Sequence, residues 1–270
     1  MKRLIYGLAT SLVLSQFNAQ EALENKDIPK NKDTTKYKFG KLNVFVFEDL
    51  NSEDTRLTDE DFKNNKGHWA GLDFGVNVLL NNQLKTNFEK TPYWENNPST
   101  SFNINLNLFE KKFTIYKNYI GITTGLGFNF AQYGFKNNYV LASNKDSVFA
   151  TIDTVYNYSK NKLKASYLQI PLLLEFNSHA TSHKSFYLSA GVVGGLRLSS
   201  KVKREGEWEG KNFEQKMKGV YSLNSFKLDA TVRVGYHNFG AFATYALIPL
   251  FEQGKTVDVH PVSIGLTFGF

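Results

Sequence analysis

The 270-residue sequence has no cysteine, six prolines, and no apolar run long enough for a membrane-spanning helix. Without cysteine there are no disulfides, no thiolate catalysis and no acyl-cysteine lipoprotein anchor. Scarce proline leaves long stretches free to pair as strands, since proline cannot donate a ladder hydrogen bond. A mean hydropathy of −0.35 excludes a helical membrane protein. It does not exclude a closed β-barrel, whose strands are only half apolar. The 32 basic and 25 acidic residues give a net charge of +7. They are interleaved, with no basic stripe carrying stacking aromatics, so nucleic acid is not an expected partner. Nothing in the sequence reads as a cofactor motif.

Aromatics are what the sequence has in quantity, 23 Phe and 14 Tyr among them. The chain opens MKRLIYGLATSLVLSQFNAQ, with Lys2 and Arg3 ahead of a core of about 11 mostly apolar residues. That core is too short to span a bilayer, and the layout predicts a signal peptide over residues 1–19. Ala19 fits the last position, although Phe17 stands where a small residue is preferred. Residues 20–66 are highly charged and read as a mostly flexible periplasmic lead-in. One apolar island, KLNVFVFEDL at 41–50, suggests an isolated strand.

From residue 67 onwards apolar and polar residues alternate, the period of a strand with two different faces. In SFNINLNLF, Phe102, Ile104, Leu106 and Leu108 stand against Asn103, Asn105 and Asn107. Eight such segments occur, at 68–80, 101–109, 119–130, 166–176, 185–198, 225–236, 239–251 and 262–270. The connections run roughly 20, 10, 30, 8, 25, 3 and 10 residues, long alternating with short. Such alternation predicts an all-β fold, an eight-stranded antiparallel transmembrane barrel with both termini periplasmic, over residues 67–270. The last segment, VSIGLTFGF, is expected to turn its apolar face to lipid and to pair with the first strand, removing the sheet edge. Two aromatic belts are expected, one of them including Phe102, Phe130, Tyr133, Tyr167, Phe226 and Phe251.

Several segments resemble the PorT-like family of outer-membrane β-barrels common in Bacteroidota: GHWAGLDFGVN (67–77), YLQIPLLLEF (167–176), YALIPLF (245–251) and the terminal phenylalanine. The resemblance spans about 200 residues. It implies residence in the cell outer membrane, with a possible link to type IX secretion. A terminal aromatic strand, here ending in Phe268 and Phe270, also resembles the signal read by the barrel assembly machinery.

The inward face is expected to carry Asp73, Glu175, Arg197, Lys227, Asp229 and Arg233. In a lumen only wide enough for side chains these read as a paired plug rather than an ion path. His179 and His183 have a four-residue spacing that suits a metal on a helix, but they fall in a predicted turn, and no metal site is assigned. Asp258, His260 and Ser263 near one strand end raise the idea of a lipid-modifying enzyme, without any supporting motif. Residues 200–219, with Trp208 among interleaved lysine and glutamate, read either as an interaction surface or as a solvated hairpin extending the barrel. The expected function is a non-enzymatic scaffold, envelope-interaction or secretion-support barrel. Its expected partners are outer-membrane lipid, the assembly machinery, lipopolysaccharide or secretion-system proteins. A carrier of small hydrophobic ligands through the wall, loosened at Pro171 or Pro249, is the alternative.

Overall fold

A computed structural model describes residues 32–39, 42–49 and 66–270, except 90, 118, 137, 145 and 180–184. The predicted signal peptide lies outside the described residues. The chain divides into two units, 1–56 and 57–270. In the first, strands β1 (Lys32–Phe39) and β2 (Leu42–Asp49) pair antiparallel. The apolar island thus supplies one strand of a hairpin. Its partner, KDTTKYKF, sits in sequence that reads as linker.

The second unit is built on eight long strands: β3 (Gly71–Leu80), β4 (Phe102–Tyr116), β5 (Ile120–Gly134), β8 (Asn157–Asn177), β9 (Phe186–Trp208), β11 (Phe226–Tyr236), β12 (Phe239–Ala246) and β13 (His260–Gly269). Each pairs antiparallel with the next, and β13 pairs back onto β3, Gly269 opposite Gly71 through His260 opposite Leu80. The ring has no free edge. Short turns join the strands at one end, where His237, at φ 54°, makes the β11–β12 turn. The long connections gather at the other end and carry a hairpin of β6 (Tyr139–Ser143) and β7 (Val148–Ile152) and the strand β10 (Lys211–Lys218), which pairs with the far end of β9. No described helix is long and apolar enough to cross a membrane.

Through the body of the ring the polarity is inside out. Phe74, Ile170, Leu172, Ile264 and Leu266 are exposed on the outer face, while Asn105, Asn107, Thr123, Gln169 and Thr267 are buried within. Lipid is the solvent that makes such a surface favourable. Towards the long-connection end of β8 and β9 the pattern reverses. Lys162, Lys164, Lys201 and Lys203 now face outwards, and Leu163, Ala165 and Val202 are buried inwards. The reversal falls at Ser166 and Ser199, whose hydroxyls lie 2.7 Å apart.

Above that level the inward side chains and the long connections share one apolar cluster, including Leu79, Trp94, Tyr133, Leu163, Val202, Leu223, Phe251 and Val259. Trp94, in a short 3-10 turn (Pro92–Trp94), is fully buried against Phe251, ring centroids 4.4 Å apart. This corrects part of the expected belt. Tyr133 and Tyr167 share the inward parity of their strands and, with Phe251, lie in the cap rather than against lipid. Phe102, Phe130 and Phe226 do face outwards.

Candidate functional site

The candidate site is the lumen, where the ring brings together groups from strands far apart in sequence. Asp73 on β3 is fully buried, and its carboxylate takes both ends of the Arg233 guanidinium at 2.9 Å each. Its Oδ2 also accepts from Asn105 at 3.0 Å and Asn107 at 3.1 Å. Arg233 donates further to Thr267 at 2.8 Å, between the faces of Trp69 (5.0 Å) and Phe242 (5.9 Å). The cation is thus held by a matched fork and by two ring quadrupoles.

Nearer the short-turn end, Glu175 on β8 collects four donors. Lys112 Nζ and His68 Nδ1 reach Oε1 at 3.1 and 2.9 Å, and Thr123 Oγ1 and the His68 backbone N–H reach Oε2 at 3.0 and 3.1 Å. Glu110 accepts the backbone N–H groups of Trp69 and Ala70, both at 2.8 Å. These carboxylates draw the segment before β3 into the ring. There His68 stacks on Tyr187 at 4.0 Å and Trp69 is buried with Leu173 and Val193. A Cβ on Gly125 would stand 2.8 Å from the Trp69 ring and 2.1 Å from the Phe109 carbonyl, so only glycine leaves room there.

Nearer the long-connection end, Lys227 Nζ lies 2.7 Å from Asp229 and donates to Asn129 at 3.3 Å, over the Tyr167 ring at 5.2 Å. Asn129 donates in turn to Asn103 and Asn105, both at 2.6 Å. The asparagines of SFNINLNLF therefore form a ladder linking two ion pairs. Beside this pair lies a small recess open to solvent, lined by Tyr133, Tyr167, Asn224, Phe226, Pro249 and Pro261 among others.

Of the six charged residues expected inside, Asp73 meets Arg233, and Lys227 meets Asp229. Glu175 meets Lys112 and His68, neither of which the alternation identified. Arg197 stays near the rim, bonded to Ser200 Oγ at 3.1 Å and the Asn224 carbonyl at 3.3 Å. Lys112 and Glu110 face inwards because β4 has a register shift at Leu108, between Asn107 and Phe109, which reverses the parity of the strand as far as a second shift between Thr114 and Tyr116. Asp258, His260 and Ser263 do not assemble: Asp258 accepts from Asn82, His260 lies against Asn82 and the Ala246 carbonyl, and Ser263 donates inwards to Asn77. His183 lies outside the described residues, and His179 meets Ser178. No group of three potential metal ligands occurs among the described residues. Trp208 is exposed at the end of β9, 4.9 Å from Tyr156. Phe268 and Phe270 are exposed on the outer face, Phe268 edge-on to Phe239 at 5.6 Å.

Residues 55–252 match the family model for the outer membrane protein beta-barrel domain. No curated protein matches the chain. Among solved structures, the attachment invasion locus protein Ail of Yersinia pestis, in complex with the heparin analogue sucrose octasulfate, is 12% identical over 73% of this chain and 94% of its own, with a TM-score of 0.29. Another crystal structure of Ail is 12% identical over 74% of this chain and 98% of its own, with a TM-score of 0.27.

Proposed function

The chain belongs to the outer membrane protein beta-barrel domain family, and from that premise we propose a non-enzymatic, closed barrel that acts through its surfaces, as a scaffold or envelope-interaction protein. Support of a secretion system is the more specific form of this reading, drawn from the PorT-like resemblance. The carrying observation is the lumen itself. Paired charges and the asparagine ladder occupy its length, and the Trp94–Phe251 cluster covers one end. An eight-stranded ring is only wide enough for such side chains. The long connections face the cell exterior and both termini the periplasm, as short periplasmic turns require. Phe268 and Phe270 serve as the assembly signal. The outward hairpin with Trp208 is the interacting element.

The test combines planar-bilayer recording of the purified barrel with photocrosslinking from position 208 in intact outer membranes. The expected results are no conductance above that of lipid alone and a crosslinked envelope component. A sustained conductance overturns the closed lumen; a position 208 that yields no adduct overturns the surface role.

The recess beside Lys227 favours a second reading, a carrier of small hydrophobic ligands. Phe226, Ile248, Pro249 and Pro261 line its apolar part, where β12 has already ended at Ala246. Extraction of purified protein that yields a stoichiometric apolar ligand supports this reading. A ligand-free extract removes it.

A further inference from the structure

Beyond the Ser166–Ser199 row, the outward face of three paired strands carries lysine on every strand. Lys164 stands opposite Lys201, which stands opposite Lys218; Lys162 stands opposite Lys203, which stands opposite Lys216. Like charges directly opposite each other weaken a sheet. Here the arrangement occurs in two successive rows. The residues cannot turn away, because Leu163 and Val202 fill the other face at 0% exposure.

Only one side of this patch is neutralised within the chain. Lys203 pairs with Glu205 and Glu214, and Lys216 with Glu214. Lys162, Lys164, Lys201 and Lys218 hold no ion pair among the described residues. Paired strands lie ~4.8 Å apart and rows two residues apart ~6.7 Å, so six ammonium groups rise from a patch on the order of 10 by 7 Å.

Its height is as informative as its charge. Leu168 and Leu196 form the last row that is apolar on both strands, and the exposed Phe130 and Leu198 carry the apolar surface up to the serine row. With strands tilted by about 40°, the first lysine row stands roughly 5 Å above that apolar edge. A lysine stem bends back several ångströms, which brings its ammonium into the headgroup layer. A singly charged headgroup neutralises one lysine. Two rows across three strands fit a headgroup bearing more than one phosphate.

We infer that the outward face of β8, β9 and β10 binds a multiply phosphorylated lipid of the surrounding leaflet, its phosphates shared among Lys162, Lys164, Lys201 and Lys218. The inference rests on the outer-membrane orientation proposed above and names the partner at that surface.

Full-length barrel in detergent is titrated with diphosphoryl lipid A, monophosphoryl lipid A, phosphatidylcholine and soluble polyglutamate, with binding read by native mass spectrometry. Diphosphoryl lipid A should bind at least about tenfold more tightly than the monophosphoryl form and weaken with salt. Each lysine near an anionic surface contributes modestly, so K162Q/K164Q/K201Q/K218Q should lose about 10- to 100-fold, whereas the matching four-arginine variant retains binding. Equal binding by the glutamine variant overturns the inference. So does polyglutamate binding more tightly than any lipid, which points to an acidic protein instead. Two checks come before any lipid is added. A wild type whose gel mobility in SDS does not change on boiling, and which stays out of membranes, overturns the barrel reading. Failure of an impermeant amine reagent to label Lys218 on intact cells overturns the orientation.

Discussion

A double-mutant cycle at Arg233 and Asp73 measures whether the lumen is dry. The two side chains are 2% and 0% exposed and meet through two contacts of 2.9 Å. Breaking one partner of a buried pair costs about 3–5 kcal/mol, because the other charge is left uncompensated. Arg233→Met leaves Asp73 with Asn105 and Asn107 as donors and belongs near the top of that range. Asp73→Asn leaves the guanidinium with Thr267 and two ring faces, each face contributing about 0.5–2 kcal/mol, so it belongs near the bottom. In the double variant no uncompensated charge remains, and the coupling energy should be about 2–3 kcal/mol. The same pair in a water-filled lumen would couple by about 1 kcal/mol or less. The assay is urea unfolding of the barrel in vesicles, followed by tryptophan emission, to which Trp69 contributes from directly over Arg233. A coupling below about 1 kcal/mol refutes the closed, dry lumen.

Deleting Leu108 should retain the SDS mobility shift, whereas Lys112→Met should cost about 3–5 kcal/mol in urea unfolding. The deletion removes only the extra residue of the shift, so Phe109 follows Asn107 on the outer face and Glu110 and Lys112 keep facing inwards, whereas the lysine variant takes a charge partner from the buried Glu175 carboxylate. Trp94→Ala should cost about 3–5 kcal/mol and open the long connections to protease in vesicles, the barrel strands remaining protected. Lys160 and then Lys203 hold the Glu205 carboxyl down to about 2, from an ordinary 4.5. A depressed carboxyl contributes stability that is complete above its unfolded value and lost as the pH falls through its folded one. Hydrogen-exchange protection factors in the β9–β10 hairpin, which correct for the intrinsic pH dependence of exchange, should therefore be constant from pH 7 to 5 and fall between about 4.5 and about 2, a response that Glu205→Gln removes.

All eight barrel strands were legible because lipid outside and polar groups inside impose a two-residue period over most of each strand. Asp73, Lys227, Asp229 and Arg233 could be placed inside on parity alone. What parity could not show was any point where it changes. One residue, Leu108, carries the register shift that turns Glu110 and Lys112 inwards, and nothing in FNINLNLFEKKF announces it; both were therefore hidden. The upper parts of β8 and β9 failed differently. NKLKAS alternates well, but with lysine on the face where lipid-facing strands carry leucine, so it reads as loop. Tyr133 and Tyr167 were misplaced because an aromatic near a strand end suits a belt and a cap equally, and only the ring's geometry separates them. The Asp73–Arg233 pair joins β3 to β11, a distance that no local pattern conveys.

The apolar cap also bears on how long the folded state lasts. Its members come from the first strand of the ring (Leu79), from the middle (Leu163, Val202) and from the residues just before the last strand (Phe251, Val259). No subset of strands assembles it, so it forms only once the first and last strands have met. A half-built ring lacks part of it and is more open to proteases. In the finished one, no strand peels away until this cluster has been breached. Interactions made after the folding barrier slow unfolding far more than they speed folding. The cap therefore acts as a kinetic lock, set by ring closure itself.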